Sequence, residues 1–265
     1  MTRIITITSG KGGVGKTTIT ANLGTALAQL GKKVALIDAD FGLRNLDLLL
    51  GLENRIVYTI IEAIAGECTI EKALVKDKRQ PNLVLLPAAQ NRNKEAVSPE
   101  QMKEIVDRIS ANFDYAIVDC PAGIELGFRN AIVAATEAII VTTPEMAAVR
   151  DADRVIGLLE AEGIEKISLI VNRLRPEMVQ LDRTIGVEDI LDILRIPVIG
   201  IVPEDERVIV STNRGEPLVL DERPSLPGMA FKNIARRIEG DDLPFLDLMA
   251  SYDNLFTRIR RLFKA

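Results

Sequence analysis

The sequence predicts an α/β fold, with a mostly parallel twisted sheet and helices on both faces. Short apolar, β-branched runs alternate with helical stretches, the order that right-handed crossovers turn into a parallel sheet. Several of these runs are apolar without alternation, which suits strands covered on both sides. A chain of 265 residues with 47% hydrophobic content can also bury a large core as one domain.

The first strand is expected at Ile4-Ile5-Thr6-Ile7-Thr8 and the first helix at Thr17 to Leu30, stopped by Gly31. Between them, Ser9-Gly10-Lys11-Gly12-Gly13-Val14-Gly15-Lys16-Thr17-Thr18 meets the P-loop pattern G-x-x-x-x-G-K-[ST] in its required strand–loop–helix setting. Glycines at 10, 12, 13 and 15 let backbone N–H groups turn onto phosphate oxygens at a helix N-terminus. Lys16 is expected to meet the β- and γ-phosphates of ATP, and the Thr17 hydroxyl to meet Mg²⁺. The motif therefore predicts a P-loop ATPase domain.

Lys33-Val34-Ala35-Leu36-Ile37 reads as the second strand, ending in Asp38 and Asp40, where open α/β sheets bind ligands. Residues 45–80 read as helical and surface-lying, with Gly51 and Gly66 as breaks and no evident chemistry. Asn82 to Pro87 is the third strand. Ser98 then caps a helix, with Pro99 at its first position and Gln101 closing the capping box, running to about Asn112. Tyr115 to Val118 is the fourth strand, and Asp119 at its end is a Walker B carboxylate near the Mg²⁺. Strands at 138–141, 167–171 and 198–202 complete the sheet, and Met229 to Ile238 is the last helix of the body. The expected division is 1–240 as the ATPase domain, 241–250 as a linker and 251–265 as a C-terminal amphipathic helix.

Composition narrows the chemistry. The chain has no histidine, so a general base must be a carboxylate. Phosphoryl transfer to water needs positioning and charge stabilisation, and Asp40 and Lys11 are the candidates beside Lys16, with Asp38 the alternative carboxylate for metal contact. Cys68 and Cys120 lie far apart, which indicates neither a disulfide framework nor a zinc site. No apolar run is long enough to span a bilayer, and the N-terminus enters a strand instead of a signal-peptide core, so a cytoplasmic protein is expected.

Net charge is −5, yet residues 251–265 carry Arg258, Arg260, Arg261 and Lys264 against Asp253 alone. The acidic body disfavours direct nucleic-acid binding. In the tail, Leu255, Phe256, Ile259, Leu262 and Phe263 share one helical face, within an arc of about 120°. The basic residues lie opposite, with Arg258 on the flank. That is the pattern of an interfacial helix on an anionic membrane surface.

The stretch GKGGVGKTT resembles the deviant Walker A motif of the MinD/ParA family, in which a second lysine, here Lys11, reaches across a dimer to the partner's ATP. The runs from Asp38 to Asp47, Asp119-Cys120-Pro121-Ala122-Gly123 and Val202-Pro203-Glu204-Asp205 are similar to the division-site branch of that family, more than to its DNA-segregating branch. The resemblance implies first-switch residues Asn45 and Asp47, and a second switch with Pro121 and Gly123. It also implies adenine contacts from Asn172, Pro203 and Asp205, where for Asn172 a capping or turn role is an open alternative. Val14 and Thr18 complete the implied ATP-binding set with Gly10, Lys11, Gly12, Gly13, Gly15, Lys16 and Thr17.

By the same resemblance, the function is positioning of the cell-division septum by an ATP-bound homodimer, peripheral on the inner face of the membrane, with MinC and MinE as partners. Asp151 and Asp153 fall where the family binds partners, or else on a solvated helix face. A ParA-like partitioning ATPase is the alternative; it requires a basic surface on the body and no amphipathic tail.

Overall fold

The computed structural model describes residues 2–41, 44–89 and 97–248. Eight strands form one sheet: β1 Arg3–Thr8, β2 Val34–Asp38, β3 Val75–Lys76, β4 Leu83–Leu86, β5 Tyr115–Asp119, β6 Glu137–Thr142, β7 Ile167–Leu174 and β8 Val198–Pro203. Their order is β3-β4-β2-β5-β1-β6-β7-β8. Every pairing is parallel except the short β3 against β4. All seven expected strands form, six of them within one residue of their expected ends and β7 running three residues further.

The helices are α1 Lys16–Gln29, α2 Leu46–Leu49, α3 Ile60–Ile64, α4 Ile70–Ala73, α5 Pro99–Ser110, α6 Leu126–Ile132, α7 Met146–Ala161, α8 Pro176–Gln180, α9 Val187–Leu194, α10 Glu206–Asn213 and α11 Leu226–Ile238. They cover both faces of the sheet. α1 and α11 pack on one side over Leu36, Ile117 and Ile139. On the other side α5, α6 and α7 cover Ile37, Val118 and Ile140. Successive strand residues thus feed opposite cores, which explains the unbroken apolar runs.

Local signals do their expected work at α5, where Ser98 accepts from the Gln101 N–H and the Gln101 side chain accepts from the Ser98 N–H. The segment 45–80 differs from its reading. It forms three short helices, a 3₁₀ turn at Glu53–Arg55 and the edge strand β3. It is also not merely surface-lying, because Leu46, Leu50, Ile60 and Ile70 are buried. Two residues of strand are too short to produce a readable alternation; Asp77 fixes the turn that follows, accepting from the Arg79 backbone N–H and pairing with the Arg79 guanidinium.

After α11 the described residues, which run to Leu248, have no regular structure, yet they are fastened. Arg237 donates to the carbonyls of Leu243, Pro244 and Ile199, and stacks on the Phe245 ring at 4.3 Å. Leu246 packs against both cores and Leu248 is buried, so this segment crosses the β8 edge of the sheet.

Candidate active site

β1 is central, flanked by β5 and β6, and the P-loop leaves its C-terminal end at the point where strand order reverses. Gly15 caps α1 with φ 99°, and Gly13 has φ 77°, conformations that side chains rarely adopt. Gly15 also has no room for a Cβ, which would lie 2.4 Å from the Asn172 Nδ2. A Cβ on Gly10 would lie 2.3 Å from the Asp151 carbonyl oxygen, so the loop's start rests on α7.

The two loop lysines are placed differently. Lys16 is 7% exposed, and its ammonium donates to the Ser9 hydroxyl at 3.1 Å. The Lys11 side chain is 43% exposed and pairs with Glu145 at 2.8 Å, at the N-terminal cap of α7. One charge is therefore held inside the loop and the other at its rim.

Across the strand ends, Asp38 and Asp119 are register partners on β2 and β5. Both are buried. Asp119 accepts from the Thr20 hydroxyl at 2.9 Å and from Thr17. Burial pushes its carboxyl up to about 6, although the two hydroxyls and Lys16 pull the other way. Asp38 accepts from the Asp40 N–H at 2.9 Å and the Leu46 N–H at 3.3 Å, so the start of α2 hangs on it. Burial, and then the charge of Asp119, raise the Asp38 carboxyl well above the usual carboxylate range. Asp40 follows, half-buried.

Two buried carboxylates side by side with one enclosed ammonium form a site that a cation would relieve. No cluster of three or more metal-binding side chains occurs among the described residues. A hard cation here would take its remaining oxygens from phosphate and water, which suits Mg²⁺ with Thr17, Asp119 and Asp38 at hand. The donor set fits that ion.

The other expected residues fall around this centre. Asn172 is buried at the end of β7, and its amide nitrogen donates to the Val14 carbonyl at 2.7 Å. It braces the P-loop from the far side. Pro203 ends β8, and Asp205 caps α10 by accepting from the Arg207 N–H at 2.8 Å. Asp47 is fully buried and ion-paired with Arg44 at 2.8 Å, next to Asn45 at the cap of α2. Gly123 has φ 93° and Pro121 packs against Gly127, so the loop after Asp119 bends away under α6. Gly12 faces Ala122, bringing that loop against the P-loop. Thr18 lies on the first turn of α1. Cys120 is buried and its thiol is pushed up to about 12 by burial, an inert core position.

Sequence reasoning did not single out Ser9, Thr20, Arg44 or Glu145. Thr20 was within reach, since it stands one helical turn after Lys16 on the side of α1 that faces β5. Glu145 gave no local signal, because its partner is 134 residues away. The tail residues Leu255, Phe256, Arg258, Ile259, Arg261, Leu262, Phe263 and Lys264 lie outside the described residues.

A sheet of this order, with a glycine loop after its central strand and paired aspartates at the neighbouring strand ends, defines a P-loop nucleotide-binding protein. Residues 5–218 match the CobQ/CobB/MinD/ParA nucleotide binding domain, and the chain belongs to that MinD/ParA family. It is 73% identical over 261 residues to the septum site-determining protein MinD of Synechocystis, covering 98% of each chain. It is similar to the MinD of the MinC:MinD cell division protein complex of Aquifex aeolicus, with TM-score 0.85 and 53% identity, covering 91% of this chain and 98% of that one. The MinD of Pyrococcus horikoshii complexed with Mg-ADP gives TM-score 0.83 and 33% identity, covering 91% of this chain and 97% of that one. A plasmid partition protein of Borrelia burgdorferi shares the fold at 20% identity and TM-score 0.72. No described helix is long and apolar enough to cross a membrane.

Proposed function

We propose that the chain is a Mg²⁺-dependent ATPase that dimerises on ATP, docks on an anionic membrane by residues 251–265, and places the division septum by recruiting MinC and answering to MinE. The observation that carries this reading is the placement of Lys11. A lysine kept at the rim of the loop, while Lys16 occupies its interior, is suited to act outside its own protomer. The Synechocystis and Aquifex relatives support the division role, the latter by its complex with MinC.

In this reading Gly10 to Thr18 cradle the phosphates and Lys16 bears on the β- and γ-phosphates. Bound Mg²⁺ supplies charge neutralisation at those phosphates. Thr17 and Asp119 hold its side of the site, with Asp38 close by. Asp40 orients the attacking water, and Lys11 from the partner protomer adds positive charge as the bond to the leaving phosphate opens. Asn45 and Asp47 at the start of α2, and Pro121 and Gly123 in the loop after β5, belong to the segments that respond to the γ-phosphate.

Base selection follows from Asn172. One N–H of its amide is committed to the Val14 carbonyl, so the second N–H and the amide oxygen remain for a base. Used together, the oxygen accepts from the adenine amino group while the second N–H donates to the adjacent ring nitrogen, a pair that the carbonyl and ring nitrogen of guanine do not match in the same orientation. Pro203 and Asp205 form the neighbouring wall.

Sedimentation with anionic liposomes in ATP, in ADP and without nucleotide tests the whole. ATP should give strong binding and the other two little; equal binding in all three rejects the switch. Lys11→Ala should keep nucleotide binding while losing dimerisation and turnover, and an active monomeric variant would remove the cross-dimer role. Asp40→Ala should trap an ATP-bound dimer on the membrane. Undiminished turnover by that variant would move the water-orienting role to Asp38.

A further inference from the structure

Beside the nucleotide end of the sheet lies a groove of about 440 Å³ between α8, the end of β8 and α10. Its apolar wall includes Pro176, Leu248 and Ile209, the last 63% exposed although it is a large aliphatic side chain. Its rim carries the carboxylates of Glu177, Glu204, Asp205 and Glu206, with Arg175 the single cation among the lining residues. Arg175 pairs with Glu204 and Arg207 with Asp205, which leaves the acidic balance to Glu177 and Glu206. One Glu177 oxygen, Oε2, is buried with no hydrogen-bond partner among the described residues. A buried acceptor left in that state calls for a donor.

From these observations we infer that this groove is the resting seat of the chain's own C-terminal segment, residues 249–265. The inference rests on the reading of 251–265 as an amphipathic helix. Leu248 is the last described residue and lies in the groove, so the segment starts at its wall. That segment has an apolar face led by Leu255 and Phe256, an opposite face bearing Arg260, Arg261 and Lys264, and Arg258 on the flank. An apolar floor with an acidic rim matches those two faces in chemistry and in sign. A cleft of this volume falls in the range that holds compact apolar ligands, so it accommodates a few side chains of the tail.

The seat competes with the membrane for the same apolar face. A tail docked nine-tenths of the time lowers apparent membrane affinity about tenfold, because only the free fraction is competent. The groove also includes Pro203 and Asp205, assigned above to the adenine side, so bound nucleotide and docked tail share a wall.

The test uses the full chain with Cys68→Ser, leaving only buried Cys120. Ile209→Cys is combined with Phe256→Cys, without nucleotide, and treated with a short bis-maleimide. The expected product is an intramolecular cross-link formed at least several times faster than with Val57→Cys and Phe256→Cys, Val57 being exposed elsewhere. In a second arm, Ile209→Asp should raise binding of the nucleotide-free protein to phosphatidylglycerol vesicles up to about tenfold. A rise is diagnostic because the added carboxylate itself repels such vesicles.

Cross-linking no faster than the control pair overturns the proposal, as does a product joining two chains, which would assign the groove to another copy's tail. Unchanged vesicle binding by Ile209→Asp, in a chain that binds vesicles with ATP, also overturns it. Should no variant bind vesicles in any nucleotide state, the membrane reading fails, while the cross-link still decides the seat.

Discussion

The two ends of the sheet treat buried charge in opposite ways. At the N-terminal end of the strands, Glu137 accepts from Nε and Nη2 of Arg3 and pairs with Lys166 at 2.9 Å. Burial alone would raise its carboxyl, but these partners win and hold it below the usual range. Tyr115 beside it is pushed up to about 12, first by burial and then by its hydrogen bond to Glu239, which also pairs with Lys32. At the C-terminal end, Asp119 goes up to about 6, and Asp38 rises too. The same residue class, buried at both ends and more deeply at the second, is satisfied at one end and frustrated at the other. Charges that finish a fold bring their counter-charges with them, whereas charges that serve a ligand leave part of the balance to it.

That contrast can be broken from either side. Lys16→Ala should lower ATP affinity by about 100-fold or more in calorimetry, since it removes charge-assisted contacts, yet change thermal stability little. Retained tight binding would sink the assignment of Lys16 to the phosphates. Glu137→Ala should do the reverse, leaving ATP affinity intact and costing about 2 kcal/mol, or roughly 4–8 °C in melting temperature. That figure is below the full value for a buried network because Lys166 is mostly exposed.

Asp119→Asn should stabilise the nucleotide-free protein by about 1 kcal/mol while lowering turnover, by removing one of two like charges. The folded protein keeps on Asp119 a proton that the unfolded chain releases near pH 3.8, so the contribution of this group to stability falls as pH rises to about 6. Denaturant midpoints of the wild type should therefore fall relative to those of Asp119→Asn across that range. The smallest effect is expected from Asn172→Ala, a drop of less than about tenfold in preference for ATP over GTP, read by competition. An unchanged preference would leave Asn172 as a brace of the P-loop and nothing more.

Local chemistry made most of the scaffold legible. Strands such as Val34 to Ile37 and the Ser98–Gln101 capping box depend on neighbours in sequence, and both form as expected. The P-loop was legible because glycine spacing encodes backbone geometry directly. Contacts between distant elements were not legible, among them Lys11 with Glu145 and Asn172 with Val14. The register that sets Asp38 opposite Asp119 also depends on strand order, which no single run of residues carries. Segment 45–80 was misread because its buried residues belong to several short elements, each below the length at which periodicity shows.

The segment fastened by Arg237 also bears on solubility. β8 ends the sheet, and its outer side would offer the backbone groups of Ile199 and Ile201 to any passing strand. Leu246 and Leu248 lie over that border, and Arg237 occupies the Ile199 carbonyl. A chain shortened after Gly240 would therefore lose more than its tail. It would bare one border of the sheet and should self-associate at concentrations where the chain ending at Leu248 stays dispersed, a difference that light scattering would register.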